Sequence, residues 1–125
     1  MNINDAKSDL KMKNLFFSKC SCERKSVIED GEYNIDLEKN IEKIEEHIYD
    51  VSITTTISKT DLQLVVVANA QFIFDSENDS IEESIIGINT VAIMFPFIRS
   101  QVTLMTSQPG MSPIVLPPIN TTKLK

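Results

Sequence analysis

The sequence predicts an α+β fold, in which β-strands come first and a helical layer follows. Several segments before residue 75 alternate apolar and polar side chains with a period of two, as half-buried strands do. From Ile88 to Ser107 the apolar residues recur every three or four positions, as they do on one face of a packed helix. No repeat, linker or low-complexity tract divides the chain, so a single domain covering residues 1–125 is expected.

The composition narrows the range of partners. Twelve basic and eighteen acidic residues give a net charge of −6 and an isoelectric point near 4.7. Nucleic acids and anionic membranes are bound mainly through lysine and arginine, so neither is expected as a partner. The first residues lack the apolar core of a secretory signal, and the segment Leu64–Phe74, taken as the most apolar one, is much shorter than the ~20 residues of a spanning helix. We therefore expect a cytoplasmic protein without membrane insertion.

Three strands are predicted from alternation. The first covers Leu10–Cys22, with an irregularity near residues 15–17, where the apolar side chains change parity. Residues 49–57 alternate strictly, as a half-buried strand does. The segment Leu62–Phe74 is rich in β-branched residues and apolar on both faces. Both faces of this last strand therefore need cover, by helices on one side and by another subunit on the other.

The segment between the first two of these strands is ambiguous. A turn is expected at Asp30-Gly31, and alternation follows from Tyr33 to Leu37. From there, apolar residues fall at helical spacing among many Glu and Lys residues, at Leu37, Ile41, Ile44 and Ile48. Taken locally, this pattern predicts a helix over residues 37–48.

The later helical region carries start and stop signals. Ser80 followed by Glu83 has the form of a capping box, which predicts that a helical stretch begins there. Gly87 is expected to interrupt it, and a longer helix is predicted over residues 88–107, in which Pro96 introduces a kink or begins a new segment. The sequence "QPG" closes this helix, and the prolines after it predict an extended final segment.

No residue set for catalysis or for a cofactor is recognisable. The three glycines stand far apart, so there is no phosphate-binding loop. Cys20, Cys22 and His47 are too few for a four-ligand zinc site unless subunits share it, so reduced cysteines and no metal are expected. His47 lies in the charged stretch "EEHIYD" and is interpreted as a surface histidine. Because no nucleophile, base and orienting group occur together, an enzyme is not expected.

The C-terminal third carries motifs that resemble the SecB family of protein-export chaperones. The sequence "MFPFIR" at 94–99 resembles that family's "LFPYAR"-type helix, "PGM" at 109–111 its turn rich in Gly and Pro, and "LPPIN" at 116–120 its "L-x-P-V-N" segment. Upstream, "YNIDLEKNIEKIEEHIYDVSITTTIS" and "NAQFIFD" resemble the family's strands. The similarity runs in order from about Leu10 to Asn120.

The resemblance implies a SecB-like four-stranded antiparallel sheet with helices packed on one face, and subunits that assemble as a dimer of dimers. It also implies that residues 33–46 are largely extended, which overrides the local helix prediction. Members of the family hold unfolded polypeptides in long apolar grooves without ATP. The residues expected to line such a groove are Tyr33, Ile35, Leu37, Leu62, Leu64, Met94, Phe97, Met111, Ile114 and Leu116.

The sequence departs from the family pattern at positions connected with delivery to the SecA motor protein. Thr121 stands where relatives carry an aromatic residue, and the sequence ends at Lys125, where relatives continue into a further helix and an acidic tail. In relatives, acidic groups on the sheet face dock SecA. Glu23 is still acidic, whereas two other positions that match acidic ones in relatives carry Lys19 and Val65. Glu23 is therefore the candidate docking residue, and the departures affect SecA docking more than client holding.

The leading hypothesis is an ATP-independent holdase chaperone that binds unfolded preproteins for export. Two alternatives stay open at this point. One is a dedicated chaperone of a single partner, such as the antitoxin of a toxin–antitoxin pair. The other is a purely structural protein whose apolar faces are all used in self-association.

Overall fold

The computed structural model describes residues 10–25, 31–75 and 79–118. Its elements are strands β1 (Leu10–Arg24), β2 (Asn34–Glu45), β3 (Ile48–Lys59) and β4 (Leu62–Phe74), a 3₁₀ turn (Asp79–Ile81) and helix α1 (Glu82–Thr106). The strands pair antiparallel in the order β1-β4-β3-β2, and α1 packs on one face of the sheet. The predicted α+β fold with a four-stranded antiparallel sheet is confirmed.

The segment from Leu37 to Ile48 forms most of β2 and the start of β3, so the local helix prediction is wrong. The extended course implied by the family resemblance is confirmed. Leu37 lies opposite Thr55, and Ile41 lies opposite Val51, in a ladder that satisfies the backbone of this segment. Pairing with a long neighbouring strand outweighs the weak helix propensity of Glu and Lys, because propensity differences are a few tenths of a kcal/mol per residue.

Strand β1 contains the irregularity predicted near residues 15–17. Its register against β4 shifts twice, once after Lys13 and again after Phe17. Asn14 adopts a left-handed backbone conformation (φ 57°) at the first shift, which asparagine tolerates better than most residues. The shift turns Phe16 to the open face of the sheet, where its side chain is 57% exposed.

The two faces of the sheet are covered unequally. The inner face packs against α1, and its residues on β3 and β4 are almost fully buried: Val51, Ile53, Ile57, Leu64, Val66, Ala68, Phe72 and Phe74. On the outer face, Val65, Val67 and Ile73 of β4 are only half-buried. Helical cover of one face is therefore as predicted, while cover of the outer face by another subunit stays a prediction.

Helix α1 is one continuous helix of 25 residues. The predicted interruption at Gly87 is wrong, because a glycine inside a helix costs only about 1 kcal/mol and the burial of Ile85 and Ile86 offsets it. The predicted capping box is also wrong. The N-cap position is held by Ile81 rather than Ser80, and Ile81 itself has no side chain that can cap the helix.

Helix α1 also continues through Pro96, so a new helical segment does not begin there. A proline inside a helix removes one backbone hydrogen bond and costs about 3 kcal/mol. Here Pro96 itself is exposed, but Phe95 and Ile98 on either side are 5% and 0% exposed. Burial of these two neighbours on the sheet offsets the cost and keeps the helix in place.

After α1 the chain turns back along the helix. Gly110 adopts a left-handed conformation (φ 78°) in this turn, so the predicted closure of the helix at "QPG" is confirmed. Residues 112–118, called the tail segment below, form neither helix nor strand. Asp30 of the predicted turn, the stretch before Leu10 and the end of the "LPPIN" motif with Thr121 lie outside the described residues.

Candidate functional site

An apolar groove lies between β2, α1 and the tail segment. It has a volume of about 140 Å³ and is lined by Ile35, Leu37, Phe95, Leu116, Pro117 and Pro118. We call this set the edge groove, because β2 is an edge strand of the sheet. Ile35 and Leu37 reach it from β2 because their cross-strand partners, Ile57 and Thr55, are buried on the inner face. All six lining side chains are apolar, so the groove suits an apolar occupant.

Hydrogen bonds to α1 hold the tail segment in place on one side of the groove. Arg99 donates from Nε to the carbonyl oxygen of Leu116 over 2.8 Å, and the Thr103 hydroxyl donates to the carbonyl oxygen of Ile114 over 2.8 Å. The backbone N–H of Ile114 in turn donates to Thr106 Oγ1 over 2.8 Å. Arg99 therefore fixes the tail segment rather than projecting freely into solvent. This wall of the groove is already formed in the protein without a partner.

Three of the predicted lining residues meet in the edge groove. Ile35 is 39% exposed and Leu37 is half-buried, while Leu116 forms part of the groove although it is only 1% exposed. Sequence reasoning missed Phe95, which faces the groove in place of Phe97. Both rings flank Pro96, and the rotation of a long apolar helix about its own axis is set by packing, so the pattern did not show which ring faces β2.

Four other predicted lining residues lie in the core. Leu62 is 3% exposed, Leu64 and Met94 are 0% exposed, and Ile114 is 8% exposed. None of these four side chains lines the edge groove, so they are not part of the client site proposed below. Their spacing along the sequence is that of residues on one apolar face. Periodicity, however, does not distinguish a face covered by the same chain from one left open.

The remaining predicted lining residues lie outside the edge groove. Tyr33 and Met111 are half-buried and pack against the core. Phe97 is 45% exposed on α1, and Leu104, two helical turns later, is 68% exposed. We call Phe97 and Leu104 the helix patch. Large apolar side chains at this spacing share one side of a helix, and their exposure makes this side available to another chain.

The outer face of the sheet carries the positions connected with SecA in the family resemblance. Glu23 and Lys19 are exposed on β1, opposite residues of β4, and Val65 is half-buried on β4. A cavity of about 410 Å³ also lies on this face, and its lining is mainly polar: Asn14, Phe16, Asn40, Glu42, Asp50, Val51, Ser52, Asn69, Ala70 and Gln71. An apolar polypeptide gains less from this cavity than from the edge groove.

A buried polar cluster joins the β2–β3 turn to the start of α1. Glu82 is 5% exposed, and its carboxylate accepts a hydrogen bond from the Tyr49 hydroxyl and contacts His47 Nδ1. Burial, and then the hydrogen bond and negative charge of Glu82, raise the pKa of Tyr49 well above its usual value of 10.0. His47 is therefore not the isolated surface histidine that the sequence indicated. It is partly buried and connects the turn to the helix.

Comparison with known families decides the assignment. The family described as "Preprotein translocase subunit SecB" matches residues 5–124. The chain belongs to the SecB family. A relative named "Protein-export protein SecB" from Nitrosospira multiformis is 30% identical over 97 residues, covering 74% of this chain and 61% of that protein. The protein of the same name from Neisseria meningitidis serogroup A is 30% identical over 101 residues, covering 74% of this chain and 69% of that protein. The match thus spans about 61% of the Nitrosospira relative.

Solved structures show the same fold. A SecB-like chaperone of Mycobacterium tuberculosis, in complex with a ChAD peptide from an antitoxin, superposes with a TM-score of 0.73 at 12% identity. The superposition covers 90% of this chain and 92% of that one. A Streptococcus agalactiae protein of unknown function gives a TM-score of 0.51 at 9% identity, covering 86% and 96% of the two chains. The SecB-like α+β fold is therefore shown.

Helix α1 is long and apolar enough to cross a membrane by length and composition alone. The apolar segment 64–74 singled out in the sequence is therefore not the longest in the chain. Half of the apolar stretch of α1 is buried inside the protein, as in the core helix of many soluble proteins. The apolar character of α1 is thus explained in part by its packing on the sheet, and the helix patch belongs to its exposed remainder.

Proposed function

We propose that this SecB-family protein is an ATP-independent holdase, which binds unfolded polypeptides, including preproteins for export, in apolar grooves. The observation that carries the proposal is the edge groove, a hollow at the edge of the sheet that is lined by apolar side chains of β2, α1 and the tail segment. Holding a polypeptide needs no bond cleavage and no cofactor, so the proposal includes neither enzyme activity nor a bound nucleotide. The proposed location is the cytoplasm, where preproteins are still unfolded.

The position of the edge groove beside β2 favours an extended client. As an edge strand, β2 presents backbone N–H and C=O groups on one side that have no partner strand in the sheet. A client strand paired there directs alternate side chains to the face that holds Ile35 and Leu37. Backbone hydrogen bonds do not depend on sequence, and the groove selects only for apolar character. This combination suits many different unfolded chains.

The size of the groove predicts weak binding at a single site. Burial of one large apolar side chain contributes about 1.5–3 kcal/mol, while a dissociation constant of 1 mM already requires about 4 kcal/mol. Several grooves that act on one client raise the affinity by about 10²–10⁴ without any new kind of contact. The holdase function therefore favours an assembly of several copies, and we propose the dimer of dimers implied by the family.

The helix patch is a suitable surface for part of that assembly. Phe97 and Leu104 are 45% and 68% exposed, although large apolar side chains are more often covered. Burying them against a second copy adds apolar contact without using the edge groove. The proposal therefore assigns the helix patch to self-association and the edge groove to clients.

A pair of neighbouring substitutions on β2 tests the client site. Ile35→Asp places a charge in the edge groove, and we expect it to abolish most of the suppression of aggregation of a chemically unfolded model protein. Asn34→Asp is the matched control, because it adds the same charge one residue earlier, where Asn34 pairs with Ser58 on the other face. Both variants are first checked for a parent-like circular dichroism spectrum. Equal suppression by folded Ile35→Asp and the parent would contradict the assignment of the groove.

Phe97→Asp tests the assembly separately. We expect a smaller particle by light scattering, with weakened holding of long clients and little change in the binding of a short apolar peptide. A variant that keeps the parent mass shows that the helix patch is not a subunit contact. If the parent itself forms a closed assembly and binds no unfolded client at all, the purely structural role is correct and the holdase role is not.

A dedicated chaperone for a single client is a second candidate. It is favoured by the Mycobacterium tuberculosis neighbour, whose structure contains a peptide from an antitoxin. Affinity isolation from the native host separates the two candidates. One stoichiometric partner supports the dedicated role, whereas a spread of preproteins, with or without SecA, supports export. Glu23→Gln adds a specific test of SecA docking, since loss of SecA binding is expected only if Glu23 is part of that contact.

A further inference from the structure

The polar cluster at the β2–β3 turn contains three possible metal ligands that have no role in the proposed client binding. Glu46, His47 and Glu82 each offer one ligand atom, and these three atoms lie within 4.8 Å of one another. The residues come from two different parts of the fold, since Glu46 and His47 form the turn after β2 and Glu82 begins α1. The fold thus brings together one imidazole and two carboxylates, although His47 and Glu82 are 35 residues apart along the chain.

We propose that Glu46, His47 and Glu82 form a binding site for a divalent transition-metal ion, for which Zn²⁺ is the reference. Zinc binds histidine nitrogen and carboxylate oxygen at about 2.0–2.2 Å, so two ligand atoms on one tetrahedral ion stand about 3.4 Å apart. Glu82 Oε1 contacts His47 Nδ1, whereas Glu46 Oε1 lies 4.0 Å from Nε2 of the same ring. A metal ion binds one ring nitrogen, so an ion at Nδ1 requires Glu46, whose ligand atom is within 4.8 Å of the other two, to move towards it. The Glu46 side chain is 73% exposed, so it can move by the small distance that remains.

Charge balance at Glu82 favours a cation in this place. Glu82 is 5% exposed, and a carboxylate removed from water is stabilised only if a positive charge or several hydrogen bonds accompany it. Among the residues that the structure describes, no lysine or arginine forms an ion pair with Glu82, whose ion-pair partner is His47. A divalent ion placed between the two residues replaces their direct contact and supplies positive charge to the buried carboxylate.

The surroundings also match those of known metal ligands. Carboxylates that bind metals are usually held by a further hydrogen bond, which fixes their orientation. The Tyr49 hydroxyl donates such a bond to Oε2 of Glu82, which leaves Oε1 directed at His47. One nitrogen and two oxygens suit Zn²⁺ or a neighbouring transition ion, whereas Mg²⁺ prefers six oxygens in near-octahedral geometry. Water completes the coordination on the exposed side of Glu46.

A bound ion connects the β2–β3 turn to the first turn of α1. Such a site stabilises the folded chain, because the three ligands are brought together only after folding. It is independent of the edge groove, which lies elsewhere on β2. Loss of the metal site therefore leaves client binding in place, and failure of the holdase proposal leaves the metal site testable.

Thermal unfolding with and without zinc tests the site. The protein carries no affinity tag, and Cys20→Ser and Cys22→Ser are introduced first, because exposed thiols bind zinc on their own. At a zinc concentration of about 100 times the dissociation constant, we expect the unfolding midpoint to rise by about 5–15 °C, and we expect Mg²⁺ to have much less effect. An unchanged midpoint in zinc overturns the proposal.

Substitutions at neighbouring carboxylates assign the ligands. Glu46→Gln is expected to weaken zinc binding at least about tenfold, whereas Glu45→Gln, the adjacent exposed carboxylate, is expected to leave it unchanged. Both positions are on the surface, so both variants should fold. His47→Gln should abolish the absorption bands of Co²⁺ bound in place of zinc. Equal zinc affinity in the parent, Glu46→Gln and His47→Gln shows adventitious binding and overturns the proposal.

Discussion

Strands β2 and β4 pair with the same neighbour, β3, and yet they serve different purposes. Every second residue of β4 is buried, from Leu62 through Phe74, whereas no residue of β2 is fully buried. The difference in burial comes from what packs over each strand and not from its hydrogen-bonded pairing with β3. Helix α1 lies over β4 and β3, while β2 is at the edge, where α1 and the tail segment cover it only in part. Pairing makes a segment a strand, and cover decides whether its apolar side chains stabilise the fold or remain open to a partner.

Lys39 limits how far the open region extends along β2. It lies opposite Ile53 on the inner face, between the apolar residues Leu37 and Ile41, and its ammonium group donates to the carbonyl oxygen of Gly87 over 2.6 Å. The aliphatic part of a lysine covers apolar surface while its charged end finds a polar partner. The edge groove is therefore confined to the end of β2 that carries Ile35 and Leu37.

The largest expected effect contrasts the two strands directly. Leu64→Ala removes a fully buried side chain of β4 and should lower the free energy of unfolding by about 2–5 kcal/mol. Ile35→Ala on β2 should cost less than about 1 kcal/mol, because Ile35 is 39% exposed and leaves no closed cavity. Urea unfolding measures both. Similar losses from the two substitutions would show that β2 is covered in the folded protein, for example by another copy.

A second prediction concerns Thr55, which lies between these two strands. Its side chain is fully buried, and its hydroxyl has no hydrogen-bond partner among the described residues. Replacing Thr55 by the equally sized Val removes an unpaired polar group, so Thr55→Val should raise the free energy of unfolding by about 1–2 kcal/mol. Thr54→Val on the outer face is the control and should change it by about 0.5 kcal/mol or less. Destabilisation by Thr55→Val would indicate a partner for the hydroxyl.

The smallest expected effect is a pH dependence at the other end of β3. Because the pKa of Tyr49 is raised in the folded protein, the unfolded chain loses the tyrosine proton first as the pH increases. The contribution of Tyr49 to stability is therefore complete below about pH 10 and declines above it. We expect the difference in urea midpoint between the parent and Tyr49→Phe to shrink between about pH 9 and pH 11. A difference that is constant over this range would contradict the Tyr49–Glu82 hydrogen bond.

Much of the sheet was predictable, because alternation depends only on the side chains of a strand and its neighbours. Residues 49–57 and 62–74 were recognised from this pattern alone, and the irregularity in β1 from a change of parity. The helical spacing of residues 37–48 was misleading, because the steps 37–41 and 44–48 are also multiples of two. The odd step from 41 to 44 coincides with the register shift between Lys43 and Glu45. The break expected at Gly87 failed because packing on the sheet exceeds a local cost of about 1 kcal/mol.

The candidate site was less predictable than the fold. Ile35, Leu37 and Leu116 were found through the family resemblance, but Leu62, Leu64 and Met94 proved to be core residues and Phe95 was missed. Sequence patterns report which side chains share a face, not which face is later covered. His47 and Glu82 show the same limit, since they are 35 residues apart and carry no common motif.

By itself, the sequence determined three of the four strands, the long apolar helix and the membership of the SecB family, because alternation, helical spacing and short motifs are local properties of the chain. The tertiary structure alone decided which apolar residues are sealed under α1 and which stay open at β2, and it alone brought Glu46, His47 and Glu82 together. Burial and the meeting of distant ligands depend on how layers are placed over one another, and that placement is set by the packing of the whole chain.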